Sequence, residues 1–224
     1  MIEIFIFSII QGITEFLPIS SSSHLILISN YLNFENQGLS IDVSLHIGSF
    51  LAVIVYFKKD ILDFIKNKDL FYKIILSSIP VMITGFLLIS FDLIDQIRNI
   101  KTVGWTTLIF GFLLYFSDTF EVKKKIDDSF SYKDAFAIGA LQILSLIPGV
   151  SRSGITISAA RILKFKRYDS AKISFLLSIP TLGAVSLFGL NNMISSEDFN
   201  LSILNLLSIF LSFFFSFITI KYFL

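Results

Sequence analysis

Apolar residues run in long blocks along this chain, and charged residues collect between them. Five stretches, about 43–57, 74–91, 103–117, 173–190 and 201–220, are expected to cross a membrane as helices. A hydrocarbon core of about 30 Å takes ~20 helical residues at ~1.5 Å each. The shortest stretches must therefore borrow from their flanks, or the bilayer must thin. Two further apolar regions are interrupted: 4–34 by "PISSSSH" and 135–163 by "PGVSRSG", leaving arms of 10–14 residues. Such arms span only ~15–21 Å. Each region reads as a re-entrant hairpin that enters and leaves by one side, with two short full spans as the alternative. Irregular backbone at depth is tolerated where protein buries it or where it lines a wet cavity.

Composition agrees with this pattern. The 224 residues are 54% hydrophobic and 16% charged, against about 25% charged in soluble domains; mean hydropathy is +0.79. The fold class is all-α, a polytopic membrane protein forming one integral membrane domain over 1–224. The absence of cysteine excludes a disulfide framework, a thiolate metal site and a thiol nucleophile. A net charge of +1 gives no reason to expect a nucleic-acid partner. Residues 1–10 have no basic segment, so no cleavable signal peptide is expected.

Basic residues set the orientation. Lys58, Lys59, Lys66, Lys68 and Lys73 share one loop, Lys123, Lys124, Lys125 and Lys133 a second, and Arg161, Lys164, Lys166, Arg167 and Lys172 a third. These loops hold 14 of the 18 Lys and Arg residues and are expected to be cytoplasmic. The alternating segments 35–42, 92–102 and 191–200 carry just Arg98 and Lys101. The first broken hairpin then opens outward and the second toward the cytoplasm. That is the signature of an inverted-topology repeat: repeat one about 1–120, repeat two about 135–224, with a final helix missing from the second. "FLPISSSSH" and "LIPGVSRSG" share an apolar pair, a proline and a serine cluster.

The breaks concentrate the polar chemistry. Gln11 and Glu15 are four apart, on one helical face. Pro18 stops that helix, and Ser20, Ser21, Ser22 and Ser23 can cap the next one, whose first N–H groups suit an anion such as phosphate. His24 follows Ser21 by three residues and can serve as base, acid or nucleophile. The second break adds a permanent cation, Arg152, between Gly149 and Gly154, with Ser151, Ser153 and Thr156 as further donors. One carboxylate, one amide, one histidine, one arginine and seven hydroxyls make a set for binding, and cleaving, a phosphorylated group. Gln142 is expected to line the site. His46 is expected to pack at the interface, Glu3, Glu35, Asp42, Glu197 and Asp198 to lie in solvated ends, and the run "KKKIDD" (123–128) to be a solvated loop.

"QGITEFLPISSSSHL", "DVSLHIGSFLAV", "LIPGVSRSGITIS" and "RYDSAKISFLLSIP" resemble the undecaprenyl-diphosphatase family, the bacitracin-resistance membrane phosphatases of bacterial cell-wall synthesis. The resemblance implies removal of the terminal phosphate from undecaprenyl diphosphate, a polyprenyl lipid, in the cytoplasmic (inner) membrane, with the site facing the outer side. It implies that Gln11 and Glu15 hold a divalent cation, Mg²⁺ or Ca²⁺, that Ser21 and His24 are catalytic together with Glu15, and that Arg152 binds the diphosphate beside Ser20, Ser22, Ser23, Ser151, Ser153 and Thr156. The choice between Ser21 and His24 as nucleophile stays open. This chain departs from the pattern in two ways: Gln11 stands where many members have Glu, and the sequence stops at "IKYFL" where members continue through another helix. A homodimer is a further expectation. The rival reading is a transporter or flippase for a polyprenyl phosphate or another anionic lipid, since broken helices meeting at mid-membrane are also a transporter layout.

Overall fold

The structure is a computed structural model that describes residues 1–32, 34, 38–63, 68–91, 99–195 and 202–224. It is helical throughout: α1 (Ile2–Thr14), α2 (Ser21–Leu32), α3 (Leu39–Tyr56), α4 (Lys58–Asp63), α5 (Lys68–Ser90), α6 (Ile100–Asp118), α7 (Ile126–Ser129), α8 (Tyr132–Gln142), α9 (Arg152–Ile162), α10 (Arg167–Ser195) and α11 (Ile203–Phe223), with a 3-10 turn at Ile143–Leu146. Among the described residues, β-type pairing is limited to one isolated bridge, Lys124 with Phe165. The expected solvated ends at Glu35, Glu197 and Asp198 lie outside the described residues.

Four helices, α5, α6, α10 and α11, are long and apolar enough to cross a membrane. They coincide with four of the five expected spans. The fifth, 43–57, forms α3, whose 18 residues reach ~27 Å, slightly under the ~30 Å of hydrocarbon. Surface chemistry supports a lipid environment. On α6, Trp105, Leu108, Ile109 and Phe112 are each more than half exposed, and Ser117 is its one buried residue. An apolar surface of that extent is satisfied by lipid rather than water.

The interrupted regions form helix–turn–helix pairs with short arms. α1 and α2 have 13 and 12 residues, and α8 and α9 have 11 each. Local chemistry fixes their starts: Ser131 and Asp134 make a capping box ahead of α8, and Ser151 caps α9 by accepting from Gly154 N–H at 3.2 Å.

The chain folds as two compact units. The first comprises residues 1–17, 21–58 and 178–223. Here α11 packs against α1 and α3 through small residues, as helices do where lipid supplies no hydrophobic drive. Ser208, Ser212 and Ser216 are fully buried at four-residue spacing. Ser212 Oγ donates to Leu45 O at 2.7 Å, and Ser216 Oγ to Ser49 Oγ at 3.0 Å. Gly12 lies against Phe215 and Ser216, and Gly48 against Ile209 O and the Phe213 nitrogen, with no room for a Cβ.

The second unit comprises 18–20 and 59–177 with Leu224. Its α8 packs on α5, with Gly139 against the Ser77 backbone, and α9 packs on α6. Two expectations change here. Arg161 is 3% exposed rather than a free loop cation. It donates to Phe165 O and Asp118 O at 2.9 and 2.8 Å, tying the end of α9 to the end of α6. The 123–128 run is also more than a solvated loop. Lys123 and Lys124 N–H groups donate to Lys164 O, Lys124 Nζ lies 3.0 Å from Asp134 Oδ1, and the N–H of buried Ile126 donates to Asp169 Oδ1 at 3.0 Å. Buried carboxylates at 134 and 169 need donors, and this strap supplies them.

Substituting Gly48→Leu should separate α3 from α11 and cost about 3 kcal/mol or more, read as a lowered thermal midpoint in detergent. Gly111→Leu on α6, where an added Cβ meets nothing within 4 Å, should leave the midpoint nearly unchanged.

Candidate active site

α1 ends at Thr14, and Glu15 caps it in helical conformation with its N–H on Gln11 O. Residues 15–18 form a turn that ends on Pro18, and α2 begins at Ser21. The ring at 18 cannot continue the helix, so the chain reverses just beyond the carboxylate. Glu15 is 8% exposed and Gln11 fully buried. Gln11 Nε2 donates to Glu15 Oε2 at 3.0 Å, and Ser21 Oγ donates to the same oxygen at 2.8 Å. His46, on α3, brings Nδ1 to 3.1 Å from Gln11 Nε2 and 3.9 Å from Glu15 Oε2. An Nδ1 that accepts from the amide leaves the imidazole proton on Nε2. The first unit thus gathers an amide, a carboxylate, a hydroxyl and an imidazole from α1, α2 and α3.

His46 is the residue that the sequence reading misplaced. It was expected to pack at the interface, yet it belongs to the Gln11–Glu15 cluster. The sequence carries the signal: like His24, His46 is an ionisable group inside an apolar run, and such a group is functional by default. His24 itself is half-buried on α2, one turn beyond Ser21. Ser20 and Ser23 are buried, Ser21 half-buried and Ser22 exposed.

The second unit holds the other elbow. Gly149 has φ +91°, and a Cβ there would collide with Thr106 Oγ1 and Val103 O, so α6 can approach only a glycine. Thr106 Oγ1 donates to Pro148 O at 2.6 Å, pinning the turn. Arg152 opens α9 half-buried. Of the donors expected around it, Ser151 caps the helix, Ser153 Oγ lies 3.0 Å from Ser151 Oγ, and fully buried Thr156 places Oγ1 2.8 Å from both Arg152 O and Ser174 Oγ. These three therefore build the platform that carries the arginine. Residues 18–20 of the first elbow belong to this unit: a Cβ on Gly154 would stand 3.3 Å from Pro18 O. Gln142, expected at the site wall, is fully buried, and neither amide atom has a hydrogen-bond partner among the described residues.

No group of three or more His, Cys, Asp or Glu that could hold a metal occurs among the described residues. Gln11 and Glu15 nonetheless fit the expected cation. Gln11 Oε1 is buried without a hydrogen-bond partner among the described residues, and exchanging the two ends of the amide would bring that oxygen to the carboxylate now faced by Nε2.

These features define a polytopic helical membrane protein whose intramembrane polar groups gather at one carboxylate and at two proline elbows. The chain belongs to the family described as bacitracin resistance protein BacA, which it matches over residues 4–224. It is 49% identical to the undecaprenyl-diphosphatase of Pelagibacter ubique (strain HTCC1062) over 225 residues, covering 100% of this chain and 88% of that one. It is 42% identical to the undecaprenyl-diphosphatase of Jannaschia sp. (strain CCS1) over 211 residues, covering 88% and 79%. A third relative of the same name, from Roseobacter denitrificans, is 45% identical over 186 residues, 77% of this chain and 70% of that one.

The two elbow glycines should respond differently to a methyl group. Gly149→Ala meets both a left-handed backbone and a collision and should cost about 2–3 kcal/mol. Gly154→Ala, with contacts of 3.1–3.4 Å, should cost under about half of that, as read by thermal unfolding in detergent.

Proposed function

We propose that this protein is an undecaprenyl-diphosphatase, which hydrolyses undecaprenyl diphosphate to undecaprenyl phosphate and inorganic phosphate. It thereby returns the lipid carrier to peptidoglycan synthesis and confers bacitracin resistance. Family membership and the names of the relatives support the activity. The observation that carries the mechanism is the 2.8 Å hydrogen bond from Ser21 Oγ to Glu15 Oε2.

Ser21 Oγ attacks the terminal phosphorus while Glu15 takes its proton. The bond to the bridging oxygen breaks, undecaprenyl phosphate leaves, and a phosphoserine remains. Glu15 passes its proton to the departing undecaprenyl phosphate and is free to act again. Water then attacks the phosphoserine phosphorus, Glu15 takes a proton from the water and returns it to Ser21 Oγ, and inorganic phosphate leaves with Ser21 restored. Gln11 holds the carboxylate in place through its 3.0 Å bond. His24, one turn along α2 from Ser21, donates to the phosphate oxygens. Arg152 and the N–H groups at the start of α2 bind the diphosphate. Phosphoryl transfer needs mainly positioning and charge stabilisation, which a guanidinium and fixed N–H donors supply. A divalent cation on Glu15 and, with the amide turned over, on Gln11 Oε1 would take the place of the Gln11–Glu15 hydrogen bond and neutralise charge on the phosphate oxygens.

The same reading places the enzyme in the bacterial inner membrane with its site open to the outer side and the basic loops in the cytoplasm. The interrupted regions are re-entrant hairpins of an inverted repeat. Arms of 11–13 residues support this, as does exchanged packing: α1, from the first half, lies on α11, and α8, from the second, lies on α5.

Purified protein in detergent should release phosphate from undecaprenyl diphosphate. Ser21→Ala, Glu15→Gln and Arg152→Ala should each lower the rate at least about 100-fold, or ~2.7 kcal/mol of barrier. No release by the wild type, or full activity in both Ser21→Ala and Arg152→Ala, would contradict the proposal. Lipid flipping in vesicles without release would point to the transporter instead.

A further inference from the structure

An amide, a carboxylate and an imidazole meet near the buried end of α1. Gln11 places its amide 3.0 Å from Glu15 Oε2 and 3.1 Å from His46 Nδ1, and the two latter atoms are 3.9 Å apart. With Nε2 in that corner the amide bridges both neighbours, but Oε1 is left buried and unpaired among the described residues. An unsatisfied buried acceptor is costly, and exchanging the amide's two ends would put three acceptors face to face. A cation removes the conflict, because all three become ligands. The spacing suits one: two ligands at right angles on bonds of ~2.1 Å stand ~3.0 Å apart, and wider angles give longer edges. The carboxylate can serve both a cation and Ser21, since its two oxygens offer about four lone-pair positions. His46, with a side chain 24% exposed, leaves the remaining coordination positions reachable by water or by phosphate.

We propose that His46 Nδ1 is a third protein ligand to a divalent cation held by the Glu15 carboxylate and the Gln11 amide oxygen. This rests on the reading that Gln11 and Glu15 hold a cation. An imidazole in place of an all-oxygen set changes which ion is preferred. Carboxylate, carbonyl and water suit Mg²⁺ and Ca²⁺, whereas a nitrogen donor raises affinity for Mn²⁺, Co²⁺ and Zn²⁺. The exchange also offsets the single carboxylate of this site: a stronger neutral donor at 46 replaces part of what a second carboxylate at 11 would contribute.

The test is pulsed electron paramagnetic resonance on the purified full-length chain in detergent, titrated with Mn²⁺. Bound Mn²⁺ should display ¹⁴N coupling, converted to ¹⁵N coupling by histidine labelling. His46→Gln should abolish it and weaken Mn²⁺ binding at least about tenfold, while changing Mg²⁺ binding by less than about threefold. His24→Gln should keep the nitrogen signal, which assigns it to one of the two histidines even if His46→Gln fails to fold. Mn²⁺ held in a Glu15-dependent way without nitrogen coupling would overturn the role of His46 and leave the cation reading of Gln11 and Glu15 standing. No Glu15-dependent Mn²⁺ binding at all would overturn both.

Discussion

A carboxylate inside a membrane protein is tolerable only if its charge is met, and the first unit is organised around meeting it at Glu15. A single oxygen, Oε2, accepts from an amide one helical turn earlier and from the first hydroxyl of the next helix. The second contact is possible only because α1 stops at Thr14 and the chain reverses through Pro18. The proline is therefore not simply a helix breaker. It brings Ser21 back to the carboxylate that its own turn has just passed. The same geometry that neutralises the charge also aims a proton acceptor at a hydroxyl, which is the contact on which the proposed activation of Ser21 rests.

That arrangement depends on small residues well away from the chemistry. Gly12 sits between Gln11 and Glu15 on α1 and lies against the α11 backbone, which fixes how the helix is rotated and so where its polar pair points. Gly48 does the same for α3, two residues beyond His46. Serines 208, 212 and 216 line the side of α11 that packs on these helices, and their hydroxyls bond to α3 or back to α11 itself. In lipid, with no hydrophobic drive between helices, close approach and interhelical hydrogen bonds take over that task. In the second unit Gly149 and Gly139 play the matching part. Gly149 lets the arginine-bearing elbow settle on α6, and Gly139 lets α8 settle on Ser77.

Much of this was legible in the chain. Hydropathy and proline placement gave four of the spans and both elbows, because helix length and the missing proline N–H are local properties. The Gln11–Glu15 pair followed from helical spacing alone. What escaped depends on contacts remote in sequence. His46 joins the cluster from 31 residues beyond Glu15 in the chain, and its neighbours in sequence say nothing of Gln11. Arg161 reads as one more cytoplasmic cation until Asp118 and two carbonyls are found around it. Lys124 and Ile126 read as part of a charge run until Asp134 and Asp169 demand donors. Thr156 resembles a ligand donor by proximity to Arg152, but its place inside the helix turns it toward Ser174.

The most direct test is to find where the phosphoryl group goes. Protein turning over undecaprenyl diphosphate, labelled in its terminal phosphate, can be quenched within milliseconds in denaturant at neutral pH, where both phosphoserine and phosphohistidine survive, and its peptides mapped by mass spectrometry. Activation of Ser21 by Glu15 requires the label on Ser21, with overall retention of configuration at phosphorus. Label on His24, or inversion at phosphorus with no labelled peptide, would contradict it.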